Sequence, residues 1–271
     1  MKVAFIGLGN MGTSLAKAVA KEVAAPDLLL VNRSPQKVQD FISQCGGTAS
    51  SLQQAFEEAE VIFLGVKPYQ ICPLLEDYQE VLSQRSDLLL ISMAAGLGLE
   101  KMAGVVKNDR VGLIRIMPNM PVAIGQGVIS LVRSQIVTDQ QVAQVKQLLA
   151  RAGALYEIEE KLMDPATSVA GCGPAFVYQM IEAMADAGVS LGLSREKALQ
   201  MAAQTFRGAS QMVLETGEHP ARLRDAVCSP GGSTIAGVNR LEQVGLRGDI
   251  IAGVEAAYKR TQEMGQEAAK K

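Results

Sequence analysis

The stretch Lys2-Val3-Ala4-Phe5-Ile6-Gly7-Leu8-Gly9-Asn10-Met11-Gly12 decides the fold. An apolar run suited to a buried strand leads into G-x-G-x-x-G, and an amphipathic segment, residues 10–24, follows. The glycine pattern alone also fits a tight structural turn. Set between a strand and a helix, it has the context of a dinucleotide-binding turn. Gly7 permits the turn, Gly9 lets pyrophosphate approach the backbone, and Gly12 lets helix and strand pack closely. The helix then presents free N–H groups to the anion. Cofactor contacts are expected from Ile6, Gly7, Leu8, Gly9, Asn10, Met11 and Gly12.

The next test lies about 20 residues further on, where NAD enzymes place an acid on the ribose 2′-hydroxyl. Here the second apolar run, residues 28–32, ends in Asn32-Arg33-Ser34, with no acid. A guanidinium and a hydroxyl there suit the 2′-phosphate of NADP, which Arg33 can meet with charge-assisted bonds. Ser34 doubles as a candidate N-cap of the following helix, residues 35–45. The plain alternative is an exposed Arg beside a cap.

Further apolar runs cover residues 61–66, 88–92 and 111–116, with weaker ones at 127–132 and 154–158. Amphipathic segments such as 69–83 separate them. Near-continuous apolar runs alternating with helices predict an α/β domain with a doubly wound, mostly parallel Rossmann-type sheet over residues 1–160. Such sheets bind ligands beyond the carboxyl ends of their strands. That adds Gly65, Val66, Lys67 and Pro68, then Met93, Ala94 and Ala95, then Pro118 and Asn119 as candidate cofactor contacts, with ordinary loop chemistry as the alternative.

From Asp164 onward the strand signal stops. Residues 161–271 read as an all-helical domain, with segments at 174–191, 194–216, 220–227, 234–244 and 249–268. Ser194 suits an N-cap, Gly217 a C′ position, and Pro174 and Pro220 first-turn positions. The segment is rich in Ala, Gly and Met and poor in aromatics, so its core is thin. Packing against a second copy is therefore expected. Between two of its helices lies Ser229-Pro230-Gly231-Gly232-Ser233-Thr234. Its N–H groups at Gly232, Ser233 and Thr234, with the Ser229 hydroxyl, suit a carboxylate; a capped turn fits equally well. His219 and the acids Glu157, Glu159 and Glu160 read as structural and solvated groups.

Composition narrows the field. The net charge is -2, acids and bases are balanced in both halves, and no nucleic-acid partner is expected. No apolar run approaches the ~20 residues of a membrane span. The N-terminal run passes straight into the glycine turn and reads as mature structure, not a leader. Four scattered cysteines without a CxxC suit free thiols in a reducing cytoplasm, and no metal site is expected. With a single His, chemistry that needs two histidines is excluded.

Taken together, the glycine turn, Val66-Lys67-Pro68, Met117-Pro118-Asn119, Gly171-x-Gly-Pro-Ala175 and Asp225-x-Val-x-Ser-Pro-Gly-Gly-Ser-Thr234 resemble pyrroline-5-carboxylate reductase. The resemblance spans essentially the whole chain in order. It implies NADPH-dependent reduction of 1-pyrroline-5-carboxylate to L-proline, with NADH a weaker cofactor. It also implies a homodimer through the helical domain, in some members a decamer of five dimers, and cytoplasmic location. Transferred onto this chain, Ser229, Gly231, Gly232, Ser233 and Thr234 bind the substrate, and Thr234 is the catalytic candidate on the ring nitrogen. Cys172, Cys228, Ser233 and Met120 depart from the residues common in the family. The rivals are a related NADP-dependent imine or hydroxyacid reductase and a non-catalytic dinucleotide-binding regulator. The hydroxyacid enzymes use a Lys on the first long helix of the helical domain, where residues 174–191 have none.

Overall fold

The computed structural model describes residues 1–269. Two compact units emerge: Met1–Gly171, with which residues 258–269 are grouped, and Cys172–Ala257. The first is built on an eight-stranded sheet of order β3-β2-β1-β4-β5-β6-β7-β8. Its strands are β1 (Val3–Ile6), β2 (Leu28–Val31), β3 (Thr48–Ala49), β4 (Val61–Leu64), β5 (Leu89–Ser92), β6 (Gly112–Pro118), β7 (Gly127–Arg133) and β8 (Gly153–Glu157). Neighbours are parallel except β6 and β7, which run antiparallel.

Helices α1 (Asn10–Val19), α2 (Pro35–Cys45), α3 (Leu52–Glu58), α4 (Pro68–Asp77), α5 (Gln79–Gln84), α6 (Leu99–Val106) and α7 (Asp139–Leu148) cover the sheet. Alternate strand residues enter opposite cores. Val3 and Phe5 pack with Leu15 of α1, Phe41 of α2 and Val145 of α7. Ala4 and Ile6 pack with Phe56 of α3, Leu75 of α4 and Met102 of α6. Phe5 and Phe63 stack across β1 and β4, centroids 4.5 Å apart. Burial on both faces is why these strands read as unbroken apolar runs.

Three sequence expectations change. The edge strand β3 was not expected: it is two exposed residues long and carries no apolar run. The predicted helix over residues 69–83 is two helices, because Tyr78 (φ -109°, ψ 17°) leaves helical geometry at the junction. The first helix stops at Val19, well short of residue 24.

A short helix, α8 (Met163–Ala166), runs into a π-helical turn, Thr167–Gly171. The second unit holds α9 (Gly173–Ser190), α10 (Arg195–Thr216), α11 (Pro220–Ala226) and α12 (Ser233–Gln243). The last helix, α13 (Leu246–Ala269), starts there and begins three residues before the predicted position 249. The punctuation is as the sequence indicates: Ser194 accepts the Lys197 N–H, and Gly217 closes α10 at φ +65°. Helices α9 and α10 bury only Ala185, Ala198 and Ala202 together, while Leu191 and Leu214 remain 87% and 73% exposed. The core of this unit is as thin as its composition implies.

Candidate cofactor and substrate sites

The carboxyl ends of β1, β2 and β4 open on one cavity of about 1520 Å³. The strand order reverses between β1 and β4, the crevice where doubly wound sheets bind ligands. The glycine turn forms its floor. Gly7, at φ +101°, would set a Cβ 2.7 Å from the Gly65 carbonyl carbon. A Cβ on Gly12 would lie 2.3 Å from the Gly7 oxygen. A Cβ on Gly9 would meet nothing within 4 Å. Two glycines are therefore required by the protein's own backbone, whereas the space over Gly9 is open. No acid stands in the first turn of α1 and no side chain caps it. This cradle fits a dinucleotide pyrophosphate on a helix N-terminus.

The cavity gathers Ile6, Gly7, Leu8, Gly9, Asn10, Met11, Gly12, Asn32, Arg33, Ser34, Gly65, Val66, Lys67 and Met93. Pro68, Ala94, Ala95, Pro118 and Asn119 lie outside it. The reasons are local. Pro68 is the exposed first residue of α4. The Ser92 hydroxyl accepts the Ala94 N–H at 3.2 Å, and Ala94 is buried among core residues. Pro118 and Asn119 are buried too. Asn119 accepts the Val128 N–H at 2.8 Å and donates to the Ala170 carbonyl at 2.9 Å. Its amide holds two segments of chain together and is not free for a ligand.

Asn32 is also engaged internally: its Oδ1 accepts the Leu8 N–H at 3.0 Å and its Nδ2 donates to the Ser34 carbonyl at 3.2 Å. It shapes the glycine turn from the side. Ser34 stands at the N-cap of α2, but its hydroxyl accepts no helix N–H, contrary to the expected double duty. Sequence reading missed Lys37, Tyr69, Gln70, Pro73, Leu74 and Asp77, which also line the cavity. Lys37 could have been found from its place in the first turn of the helix that follows Arg33 and Ser34. The α4 residues have no comparable sequence signal.

In the second unit, the 229–234 loop is a turn leading into α12. Gly231 takes φ +69°, and the Gly232 N–H bonds the Ser229 carbonyl at 3.0 Å. The Gly232 N–H is thus taken, which removes one expected donor. Gly232 is itself the N-cap of α12 and offers no side chain. The Ser229 hydroxyl fills the place of a Cβ on Gly232, which would lie 2.4 Å from it. Capping therefore uses none of the hydroxyls of Ser229, Ser233 and Thr234. All three residues are exposed, and α12 begins with its Ser233 and Thr234 N–H groups outward of the first helical bond. The capped-turn alternative loses its main support.

Beside the loop, Arg224 pairs with Asp225 at 2.9 Å, and the carboxylate's hydrogen bond and charge hold the guanidinium above the ordinary arginine range. His219 caps α11: its Nδ1 accepts the Ala221 N–H at 3.2 Å. Its structural reading stands. Glu160 differs from expectation, since its carboxylate meets the buried Arg115 of β6 at 2.6 Å. Among the described residues there is no group of His, Cys, Asp and Glu able to hold a metal. No described helix is long and apolar enough to cross a membrane.

Residues 160–264 match a family model described as pyrroline-5-carboxylate reductase dimerisation, and residues 2–96 match NADP oxidoreductase coenzyme F420-dependent. The Escherichia coli pyrroline-5-carboxylate reductase is 36% identical over 266 residues, covering 97% of this chain and 98% of that protein. The chain belongs to the pyrroline-5-carboxylate reductase family. Solved structures of pyrroline-5-carboxylate reductases agree. The one from Coxiella burnetii gives a TM-score of 0.91 at 29% identity, with 97% of each chain covered. A pyrroline carboxylate reductase from Plasmodium falciparum, solved with NADP bound, gives 0.83 at 32% identity, with 98% of each chain covered.

Proposed function

We propose that the chain is an oxidoreductase acting on a CH–NH group, reducing 1-pyrroline-5-carboxylate to L-proline with NADPH. The observation that carries this is 36% identity to a pyrroline-5-carboxylate reductase over 97% of the chain. NADPH, when bound, supplies a hydride to ring carbon C5 of the imine. Residues of the chain supply binding and orientation. Gly7 and Gly12 let the turn close on its own backbone, Gly9 leaves the backbone open to the pyrophosphate, and Arg33 and Ser34 take the 2′-phosphate. Met93, which lines the cavity, stands on the nicotinamide side.

The 229–234 loop holds the substrate carboxylate on the Ser233 and Thr234 N–H groups and the Ser229 hydroxyl. Thr234 Oγ1 hydrogen-bonds the ring nitrogen and fixes the face presented to the donor. A threonine hydroxyl is neutral at working pH, so it orients and relays but supplies no charge. The ring nitrogen carries its proton from solvent into the reaction, which makes the imine carbon more electrophilic. One hydride and one proton convert the C=N bond to the CH–NH of proline.

The division of labour follows the chain: residues 1–160 bind the cofactor, and residues 161–271 dimerise and bind the substrate. Exposed Leu191, Leu214, Met201 and Met212 on helices with a thin core support a homodimer. Further assembly to five dimers rests on the family pattern alone. Free Cys45, Cys72, Cys172 and Cys228 suit a reducing cytoplasm.

The test is to follow the absorbance of NADPH with purified chain and 1-pyrroline-5-carboxylate, with proline measured as product. Oxidation matched by proline formation is expected. Tight NADPH binding without oxidation would favour a regulator, and oxidation only with other imines would favour a related reductase.

A further inference from the structure

We propose that Lys37, in the first turn of α2, is a second cation for the 2′-phosphate of NADPH and with Arg33 sets the preference over NADH. The assignment rests on reading the cavity as the NADPH site. Strands β2, β1 and β4 lie side by side, so the loops leaving their carboxyl ends line the cavity in that order. The glycine turn after β1 is central. Lys67 follows β4 on one side, whereas Arg33, Ser34 and Lys37 follow β2 on the other. In this fold the adenosine ribose lies toward the second strand.

On that side the available groups are few. Asn32 is engaged at both ends of its amide. Ser34 makes no cap bond. Arg33 and Lys37 are exposed and line the cavity, and no acid stands in the first turn of α2. The nearest carboxylate along α2, Asp40, accepts from Gln36 at 2.7 Å. Asp77 of α4 also lines the cavity, and its charge disfavours a phosphate there. Lys67 and Asp77 on the β4 side offset each other in charge, whereas the α2 side offers two cations and a hydroxyl to three phosphate oxygens, so an anion in the cavity is drawn there. A bare ribose hydroxyl leaves both cations without a counter-charge, so the pair discriminates in both directions.

The probes are adenosine 2′,5′-bisphosphate and adenosine 5′-monophosphate, which differ only in the 2′-phosphate, titrated calorimetrically into the full chain. Lys37→Ala is expected to weaken the bisphosphate by roughly fivefold to tenfold, as for loss of one charge-assisted contact, and to leave the monophosphate unchanged. Lys37→Arg is expected to restore most of the loss, and Lys37→Ala to flatten the salt dependence of bisphosphate binding. Unchanged bisphosphate affinity in Lys37→Ala would overturn the assignment, as would an equal loss for both nucleotides. Equal binding of both nucleotides by the unaltered chain would instead overturn the NADPH reading on which the assignment rests.

Discussion

The Asn119 amide donates to the Ala170 carbonyl at 2.9 Å, across 51 residues of sequence. It thereby ties the end of β6 to the π-helical turn that precedes α9. Its Oδ1 is held by the Val128 N–H, so one side chain braces three segments. Asn119→Asp keeps an acceptor for Val128 but loses the donor and sets a charge beside a carbonyl. It is expected to cost about 1–3 kcal/mol of stability, the usual range for a buried polar group left unpaired. NADPH affinity should be unchanged. Denaturant unfolding and fluorescence titration of NADPH check the two halves of this expectation.

The glycine turn predicts two opposite phenotypes. Gly9→Ala adds a methyl where the protein has open space, so the melting temperature should hold while NADPH affinity falls by more than tenfold, the methyl occupying the approach of the pyrophosphate. Gly12→Ala drives a methyl into the Gly7 carbonyl, a backbone atom that cannot move aside. It is expected to lower stability by at least ~2 kcal/mol as well as binding. Calorimetric melting alongside NADPH titration separates the two.

Arg115 is 6% exposed and its Nε has no partner, so Glu160 carries its pairing. Removing the acid leaves a buried charge. Glu160→Ala should cost about 1–3 kcal/mol, less than for a fully buried pair because the Glu160 side chain is 41% exposed. Arg115→Met removes the charge with the pair and should cost less. Chemical denaturation of both variants and of the double variant tests the ordering.

The strands β1, β2, β4 and β5 were legible because both faces are buried, which leaves no polar alternation to confuse them. Edge strand β3 was not, since its pairing with β2 depends on neighbours and not on its own two residues. The cofactor cavity was legible wherever a requirement is local: a glycine that must be bare, a cation after a strand. It was illegible where a side chain is used across long separations. Asn119 reads as a strand-end contact until Ala170 is seen beside it, and Glu160 reads as a solvated acid until Arg115 is. The substrate loop was half legible. Its glycines and hydroxyls stood out, but only the backbone shows that Gly232 caps α12 and leaves those hydroxyls unused.

The central claim is that the substrate's reacting ring is held by the 229–234 loop while the cofactor is held by the glycine cavity. Steady-state kinetics of Thr234→Ala, with NADPH affinity measured on the same preparation, tests it most directly. Thr234 is exposed in the first turn of α12 and makes no cap bond, so the variant should fold normally. The expected result is a fall in kcat/KM for 1-pyrroline-5-carboxylate of roughly tenfold or more, on the scale of one lost orienting hydrogen bond, with NADPH affinity unchanged. An unaltered kcat/KM would contradict the account.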